Sequence, residues 1–433
     1  MNRARTKHRG EVFRYDGLEV SASSLTGHYD LDGRHFEETV TFEGFADVDA
    51  RAAIALGQLW YLVAGLSYYK AGAARRIDVG KTPLGPMGRR LLEGALLDGL
   101  AEFAYRNDLD LRDVVIEGGV DAQRIDVELD AQRVLTPFGG GIDSIVTMTH
   151  LNPELHQSLF VVSPRAGRFD PLEAAAALSG LDVVRVTRDL DSQILSRDPQ
   201  FFNGHVPVTA MVTLLAAVAA VASGRGGVVM SNEHSASVPN LSWRSRSVNH
   251  QWSKSLDAEV LIADALSERL GDSLSVASFL RNRSELWVAQ EFSIQSAYHP
   301  VFRSCNRAFT QDGGARATTW CAECDKCLFI DLVLAPFLSR DSLKAIFRAE
   351  PLSEPARERQ LRSLVGLGAE HKPFECVGDP DESAAALVRL SEIREWSDVA
   401  IIHELKNQVR PGVRFEDLLV EQGVSRVPAH WLR

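Results

Sequence analysis

The chain has 433 residues, of which 45% are hydrophobic and 24% charged, a composition typical of globular proteins. Its formal net charge of −11 argues against a nucleic-acid-binding surface. The length exceeds the size at which one hydrophobic core stops growing, so we expect more than one domain. No apolar segment follows the basic first residues, and cysteines are few. Both features favour a cytoplasmic protein without a signal peptide.

The N-terminal part has two patterns. Residues 11–43 alternate apolar and polar side chains around two Asp-Gly turns, which predicts a small antiparallel meander. Residues 47–72 and 86–110 have apolar side chains three and four positions apart, which predicts helices. We therefore expect an N-terminal α+β domain at residues 1–132.

The next part alternates short apolar segments with helical ones. Predicted strands lie at residues 133–138, 158–164, 181–188 and 227–233. This alternation predicts an α/β domain at residues 133–300 with a doubly wound parallel sheet, which binds ligands beyond the carboxyl ends of its strands. The apolar segment 206–224 could be mistaken for a membrane span, but a helix buried in such a domain is also apolar all round.

A glycine-rich loop follows the first of these strands, in the sequence LTPFGGGIDS. Gly139, Gly140 and Gly141 allow positive φ and close approach of a ligand to the backbone, and a helix begins directly afterwards. Asp143 and Ser144 complete the motif, which has neither the Walker A nor the Rossmann spacing. The pattern favours a phosphate site, although a turn without a ligand has the same glycines.

The polar stretch 231–255 is predicted to be a loop at the same edge of the sheet. Asn232 and Glu233 are candidate contacts for a nucleotide or a metal ion, or simply part of a turn. His234, His250 and Lys254 are candidate proton-transferring groups, although a lone histidine is more often a hydrogen-bonded structural residue.

Four cysteines have the spacing of a metal site. Cys305 precedes the run Cys321-x-x-Cys324-x-x-Cys327, and four such thiolates can surround zinc tetrahedrally. An iron–sulfur cluster is the second interpretation, and buried thiols without a metal are the third. We expect a four-cysteine metal-binding segment at residues 301–350, followed by a helical region at residues 351–433.

Cys376 is the one cysteine outside this cluster. A thiol with a lowered pKa can transfer protons, and Cys376 lies close to His371 in the polar sequence HKPFEC. Both residues are candidate catalytic groups. A small buried thiol in a polar loop is the alternative.

These motifs resemble known families. The glycine loop is similar to the Ser-Gly-Gly-x-Asp-Ser signature of the PP-loop ATP pyrophosphatases, with Gly139 in place of the first serine. A PP-loop followed by four such cysteines resembles 7-cyano-7-deazaguanine synthase, in which they hold structural zinc. Blocks such as FNGHVPVTAM, SNEHSAS, VNHQWSKS, WCAECDKCLF and HKPFECVG resemble the MurL family along nearly the whole chain, although Ile142 replaces the lysine of that family's glycine loop.

The MurL resemblance implies an ATP-dependent epimerase. Such an enzyme converts the terminal L-glutamate of UDP-MurNAc-L-Ala-L-Glu to D-glutamate, releases AMP and diphosphate, and follows an L-glutamate-adding Mur ligase in peptidoglycan synthesis. On this basis residues 139–141 and Ser144 hold diphosphate, and Asp143 holds Mg²⁺ or orients the loop. The four cysteines hold structural Zn²⁺, and Tyr69 and Lys70 are candidate contacts for the sugar or phosphates of UDP. No nucleic-acid or membrane partner is expected. A PP-loop synthase or ligase that uses ammonia is the alternative enzyme, and a nucleotide sensor is the non-enzymatic alternative.

Overall fold

The computed structural model of the chain describes residues 7–48, 50–164, 167–196, 198–309, 317, 319–368, 371–409 and 412–433. The strands within these ranges are β1 (Val12–Val20), β2 (Ser24–Leu31), β3 (Arg34–Phe42), β4 (Arg76–Asp78), β5 (Val115–Glu117), β6 (Asp130–Pro137), β7 (His156–Pro164), β8 (Val183–Leu190), β9 (Arg225–Met230), β10 (Leu241–Trp243), β11 (Arg246–Val248) and β12 (Ser275–Ser278). Ten of them form one sheet, in the order β12-β9-β6-β7-β8-β3-β2-β1-β4-β5.

The α-helices of the same ranges are α1 (Arg51–Ala64), α2 (Leu66–Tyr69), α3 (Gly85–Gly94), α4 (Ala101–Asn107), α5 (Ile142–His150), α6 (Asp170–Ser179), α7 (Ser192–Leu195), α8 (Val208–Ala222), α9 (Leu256–Leu270), α10 (Glu285–Ser293), α11 (Asp325–Leu334), α12 (Arg340–Phe347), α13 (Glu358–Leu364), α14 (Pro380–Leu390) and α15 (Ala400–Leu405). Among the residues that the structure describes, no helix combines the length and apolar character that crossing a membrane requires.

Five parallel strands form one end of the sheet, in the order β12-β9-β6-β7-β8. The chain order reverses between β6 and β9, which is where α/β proteins of this topology bind ligands. The predicted α/β class with a mostly parallel sheet is confirmed. The sequence did not predict β12, because its four residues contain no extended apolar run.

Helices cover both faces of this parallel half. On one face α1, α8 and α9 contribute to a core with the inward side chains of β6 to β9, and α8 is buried almost all round, as its composition predicted. On the other face α5, α6, α10 and α11 form a second core. Burial on both faces explains the apolar composition of these strands.

The predicted N-terminal meander is confirmed as β1 to β3, but it does not form a separate sheet. Strand β3 pairs antiparallel with β8, with Phe42 opposite Val186, and so extends the parallel half. The first strand in turn pairs in parallel with β4. The N-terminal part therefore shares one sheet with the part that carries the glycine loop.

Two predictions about local structure need correction. The stretch 231–255 is not only loop, because β10 and β11 form a hairpin within it. Tyr69 is fully buried and its hydroxyl donates to the Ala74 carbonyl at 3.0 Å, so it is not available to a sugar nucleotide. Neighbouring Lys70 reaches the Gly204 carbonyl at 3.2 Å, and burial is the main cause that lowers its pKa to about 8.

Candidate active site

A cavity of about 500 Å³ opens at the carboxyl ends of β6 and β9, where the strand order reverses. Segments far apart in the sequence meet in its wall. Its glycines and polar side chains are Gly139, Gly141, Asp143, Ser144, Thr209, Ser231, Asn232, Lys254, Arg303, Ser304, Lys326 and Cys376. The cavity therefore collects seven of the twelve catalytic and nucleotide-contact residues that the sequence suggested, and adds Arg303, Ser304 and Lys326.

The glycine loop is shaped to leave backbone groups accessible. Gly140 has a φ of +70°, a conformation that side chains other than glycine rarely adopt. Gly141 is the N-cap of α5, and no side chain caps the first amides of this helix. A Cβ atom on Gly139 would meet no atom within 4 Å, so this position is open to the cavity. Free amides at a helix N-terminus attract an anion.

Three carboxylates meet beside this loop. Asp143, Glu233 and Glu285 each place an oxygen within 4.8 Å of the others, and both glutamates are 1% exposed. Burial and then Glu233 raise the pKa of Asp143 to about 6, and burial also raises the pKa of Glu285. One oxygen of each carboxylate has no hydrogen-bond partner within the described ranges. Such a group of mutually repelling acids fits a divalent cation.

Arg281 fixes the backbone that carries two of the site residues. This residue is 2% exposed and donates to the carbonyls of Glu233 and Lys254, at 3.0 and 2.8 Å. Its guanidinium also pairs with Glu259 at 2.9 Å, so its charge is compensated inside the protein. The end of β9 and the turn before α9 are therefore held together by one side chain.

Two lysines bring positive charge into the cavity. Burial lowers the pKa of Lys254, but Cys376, Glu233 and Asp143 outweigh burial and hold it above its usual range. The side chain of Lys326 lies in the same wall and is 6% exposed. Its place inside the Cys-Asp-Lys-Cys run was a signal that the sequence interpretation left unused.

Cys376 lines the cavity as an activated thiol. Burial raises the pKa of this thiol, but Lys254, His250 and Lys326 together outweigh burial and lower it to about 6. At neutral pH the sulfur is therefore mostly thiolate, the form that accepts protons.

Hydrogen bonds hold the loop of Cys376 in place. Asn240 donates to the Pro373 carbonyl at 2.7 Å, and Gln251 donates to the Val377 carbonyl at 2.8 Å. Both donors come from the stretch around the β10–β11 hairpin. The hairpin region therefore positions the thiol.

The three candidate histidines differ in their distance from the cavity thiol and in their exposure. His250 acts on the Cys376 thiol and lowers its pKa, but it does not line the cavity. His234 and His371 are exposed and do not line the cavity. Asn232 lines it at 7% exposure, and its amide donates to Ser278 at 3.0 Å.

The four predicted thiols come together beneath the cavity. Their sulfur atoms lie within 4.8 Å of one another, with Cys327 at 3.6 Å from Cys321 and 3.4 Å from Cys324. Tetrahedral zinc with bonds of about 2.3 Å needs sulfurs about 3.8 Å apart, so the donor set fits this metal.

The cluster of four cysteines is connected to the loop of Cys376. The backbone amide of Lys326, inside the cluster, donates to the carboxylate of Glu375 at 3.0 Å. The neighbour of Glu375 is the cavity thiol. This hydrogen bond therefore connects the cysteine cluster to Lys326 and Cys376, which both line the cavity.

Two family models match the chain, the MurL N-terminal domain over residues 4–279 and the MurL C-terminal domain over residues 301–417. The chain belongs to the MurL family. This MurL-family protein has relatives named UDP-N-acetyl-alpha-D-muramoyl-L-alanyl-L-glutamate epimerase. That of Salinispora tropica is 40% identical over 90% of this chain and 87% of its own length.

The other two relatives carry the same name. The Micromonospora sp. protein is 38% identical over 90% of this chain and 89% of its own length. The Xanthomonas oryzae pv. oryzae protein is 32% identical over 99% of this chain and 97% of its own length. No solved structure matches. The relatives identify this MurL-family chain as an epimerase, and thus as an isomerase.

Proposed function

We propose that this MurL-family enzyme uses ATP to epimerise the terminal L-glutamate of UDP-MurNAc-L-Ala-L-Glu. The names of its relatives supply the substrate. The observation that carries the mechanism is the presence of an activated thiol, Cys376, in the same cavity as the glycine loop. The glycine loop can bind phosphate, and the thiolate of Cys376 can accept a proton. The substrate would come from a Mur ligase that adds L-glutamate.

On this proposal the sheet is of the PP-loop type and the carboxylate is activated first. A carboxylate oxygen attacks the α-phosphate of ATP, and diphosphate leaves. The amides of residues 139–141 and the hydroxyl of Ser144 hold the diphosphate, and Lys254 and Lys326 balance its charge. The adenylate makes the neighbouring C–H bond more acidic, because the carbanion no longer forms beside an anion. Each unit by which the pKa of this C–H group falls is worth about 1.4 kcal/mol.

Cys376 is the proposed base. Its thiolate takes the α-proton, and the electron pair of the C–H bond passes into the activated carboxyl group. The protonated Lys254 interacts with this thiol and is the proposed group that returns a proton. Hydrolysis of the adenylate then gives AMP and the D-glutamyl product.

Two metal sites accompany this proposal. Asp143, Glu233 and Glu285 would hold Mg²⁺ through the oxygens that have no partner in the described chain. Bound there, Mg²⁺ would neutralise phosphate charge. The four cysteines would hold Zn²⁺ in a structural role, because all four positions of a tetrahedron are filled by protein.

The test is an incubation of the enzyme with UDP-MurNAc-L-Ala-L-Glu, ATP and Mg²⁺ in deuterated water. AMP, diphosphate and a D-glutamyl product with deuterium at the α-carbon are expected. Cys376→Ser should still release AMP but should incorporate no deuterium. Absence of both AMP and deuterium in the unaltered enzyme overturns the proposal. AMP release that requires ammonia and forms a new C–N bond would instead indicate a synthase.

A further inference from the structure

A buried carboxylate lies behind the His250–Cys376 pair. Glu102, on α4, is 4% exposed, and one of its oxygens lies 2.5 Å from Nδ1 of His250. The charge of His250 also acts on the Cys376 thiol and lowers its pKa. Because Glu102 occupies Nδ1, the other ring nitrogen, Nε2, is left for the sulfur. A measured hydrogen bond thus links the carboxylate to the imidazole, and the charge of the imidazole acts on the thiol that lines the cavity.

Neighbouring groups fix the charges of Glu102 and His250. The second oxygen of Glu102 accepts from Nε of Arg106 at 2.5 Å, so both oxygens of the carboxylate are occupied. Burial lowers the pKa of His250, but its bonds to Cys376 and Glu102 outweigh burial and raise it to about 9. His250 is therefore an imidazolium ion between two anions.

The ring of His205 lies against that of His250, with ring centroids 4.2 Å apart and the two planes inclined by 42°. Burial, then the charge of His250, lowers the pKa of His205 to about 3, and Lys70 and Arg106 act in the same direction. His205 is therefore neutral. A neutral neighbour shields His250 from water without repelling its charge.

We propose that Glu102 is a positioning residue that orients His250 toward Cys376 and thereby maintains the thiolate of the base. This role rests on the proposed function in one respect, which is that Cys376 acts as the base. When the sulfur accepts the α-proton, an S–H bond forms and the C–H electron pair moves into the activated carboxyl group. His250 keeps its proton throughout and acts through its charge and its hydrogen bond.

Other groups also act on the thiol. Lys254 and Lys326 face Cys376 from the turn before α9 and from α11, and both favour the thiolate. Removal of Glu102 should therefore weaken the thiolate without abolishing it. A neutral glutamine in its place would still fill the space but would no longer stabilise the imidazolium ion.

The test measures the state of the thiol in the full, metal-loaded chain, without any epimerisation assay. Alkylation of Cys376 by iodoacetamide is followed by peptide mass spectrometry from pH 4.5 to 9. The midpoint should lie near pH 6 in the unaltered protein. It should rise by about one pH unit in Glu102→Gln, which makes alkylation about tenfold slower at pH 5, and further in His250→Asn.

Two more variants make the result interpretable. Glu102→Asp keeps the charge and should restore part of the shift. Glu93→Gln, at an exposed position on α3, should leave the midpoint unchanged. If Glu102→Gln does not fold, the comparison of Glu102→Asp with His250→Asn decides, because both must raise the midpoint, the second more strongly.

Two results would overturn the inference. The first is an unchanged midpoint in a folded Glu102→Gln protein. The second is a metal ion in addition to that of the cysteine cluster, lost in His205→Ala, because Glu102, His205 and His250 also lie within ligating distance of one another. If Glu102→Gln shifts the midpoint but the unaltered protein does not epimerise its substrate, the proposed function is rejected and the positioning role of Glu102 is kept.

Discussion

Replacement of Lys254 by methionine should raise the pKa of the Cys376 thiol. The pKa is lowered from its usual 9.0 to about 6, which corresponds to about 4 kcal/mol in favour of the thiolate. Burial acts against the thiolate, and Lys254 is the largest single contribution that favours it. Methionine keeps the length and apolar volume of the side chain but removes its charge. We expect the pKa to rise by about one to two units, or about 1.4 to 2.8 kcal/mol.

The assay is the rate of Cys376 alkylation against pH, together with thermal unfolding to confirm that the variant folds. At pH 7 the thiolate fraction should fall from about nine-tenths to about half or less. Lys81→Met is the matched control, because Lys81 is exposed in the turn after β4. A folded Lys254→Met protein whose thiol still titrates near pH 6 would refute the electrostatic argument.

Three further results are expected. Burial raises the pKa of Asp331, on α11, from 3.8 to about 7, so the folded chain holds a proton that the unfolded chain releases. Stability from this group therefore falls as pH rises from about 4 to 7, and Asp331→Asn should stabilise the protein by up to about 4 kcal/mol at pH 8 but little at pH 4, measured by urea unfolding. Cys321→Ser should lower both the metal content, measured by mass spectrometry, and the melting temperature. Gly140→Ala should weaken ATP binding about fivefold in calorimetry, because a left-handed backbone costs an alanine about 1 kcal/mol.

Each of these expectations has a contrary outcome. An equal gain at both pH values would show that Asp331 is not protonated in the folded chain. A Cys321→Ser protein with unchanged metal content would contradict a four-thiol site. Equal ATP affinity of Gly140→Ala and the unaltered protein would place the nucleotide elsewhere. Gly180→Ala is the control for backbone strain, because Gly180 also has a positive φ, +69°, but lies outside the glycine loop.

The sequence by itself determined the local features of this protein. Alternation of apolar segments predicted β6 to β9 and their parallel pairing, because burial on both faces leaves a continuous apolar pattern. The glycine loop and the spacing of Cys321, Cys324 and Cys327 were visible because each depends on backbone geometry over a few residues. Long ordered blocks were enough to indicate the MurL family, which the family models confirm.

Only the tertiary structure decided which distant side chains meet. Glu285 joins Asp143 and Glu233 because α10 packs beside α5, and no motif marks it in the sequence. Glu102 reaches His250 across 148 positions of the chain, and the meander extends the sheet through β8. Sequence patterns report which face of an element is buried. Contacts between elements depend on how those faces pack, and packing is fixed only when the whole sheet is assembled.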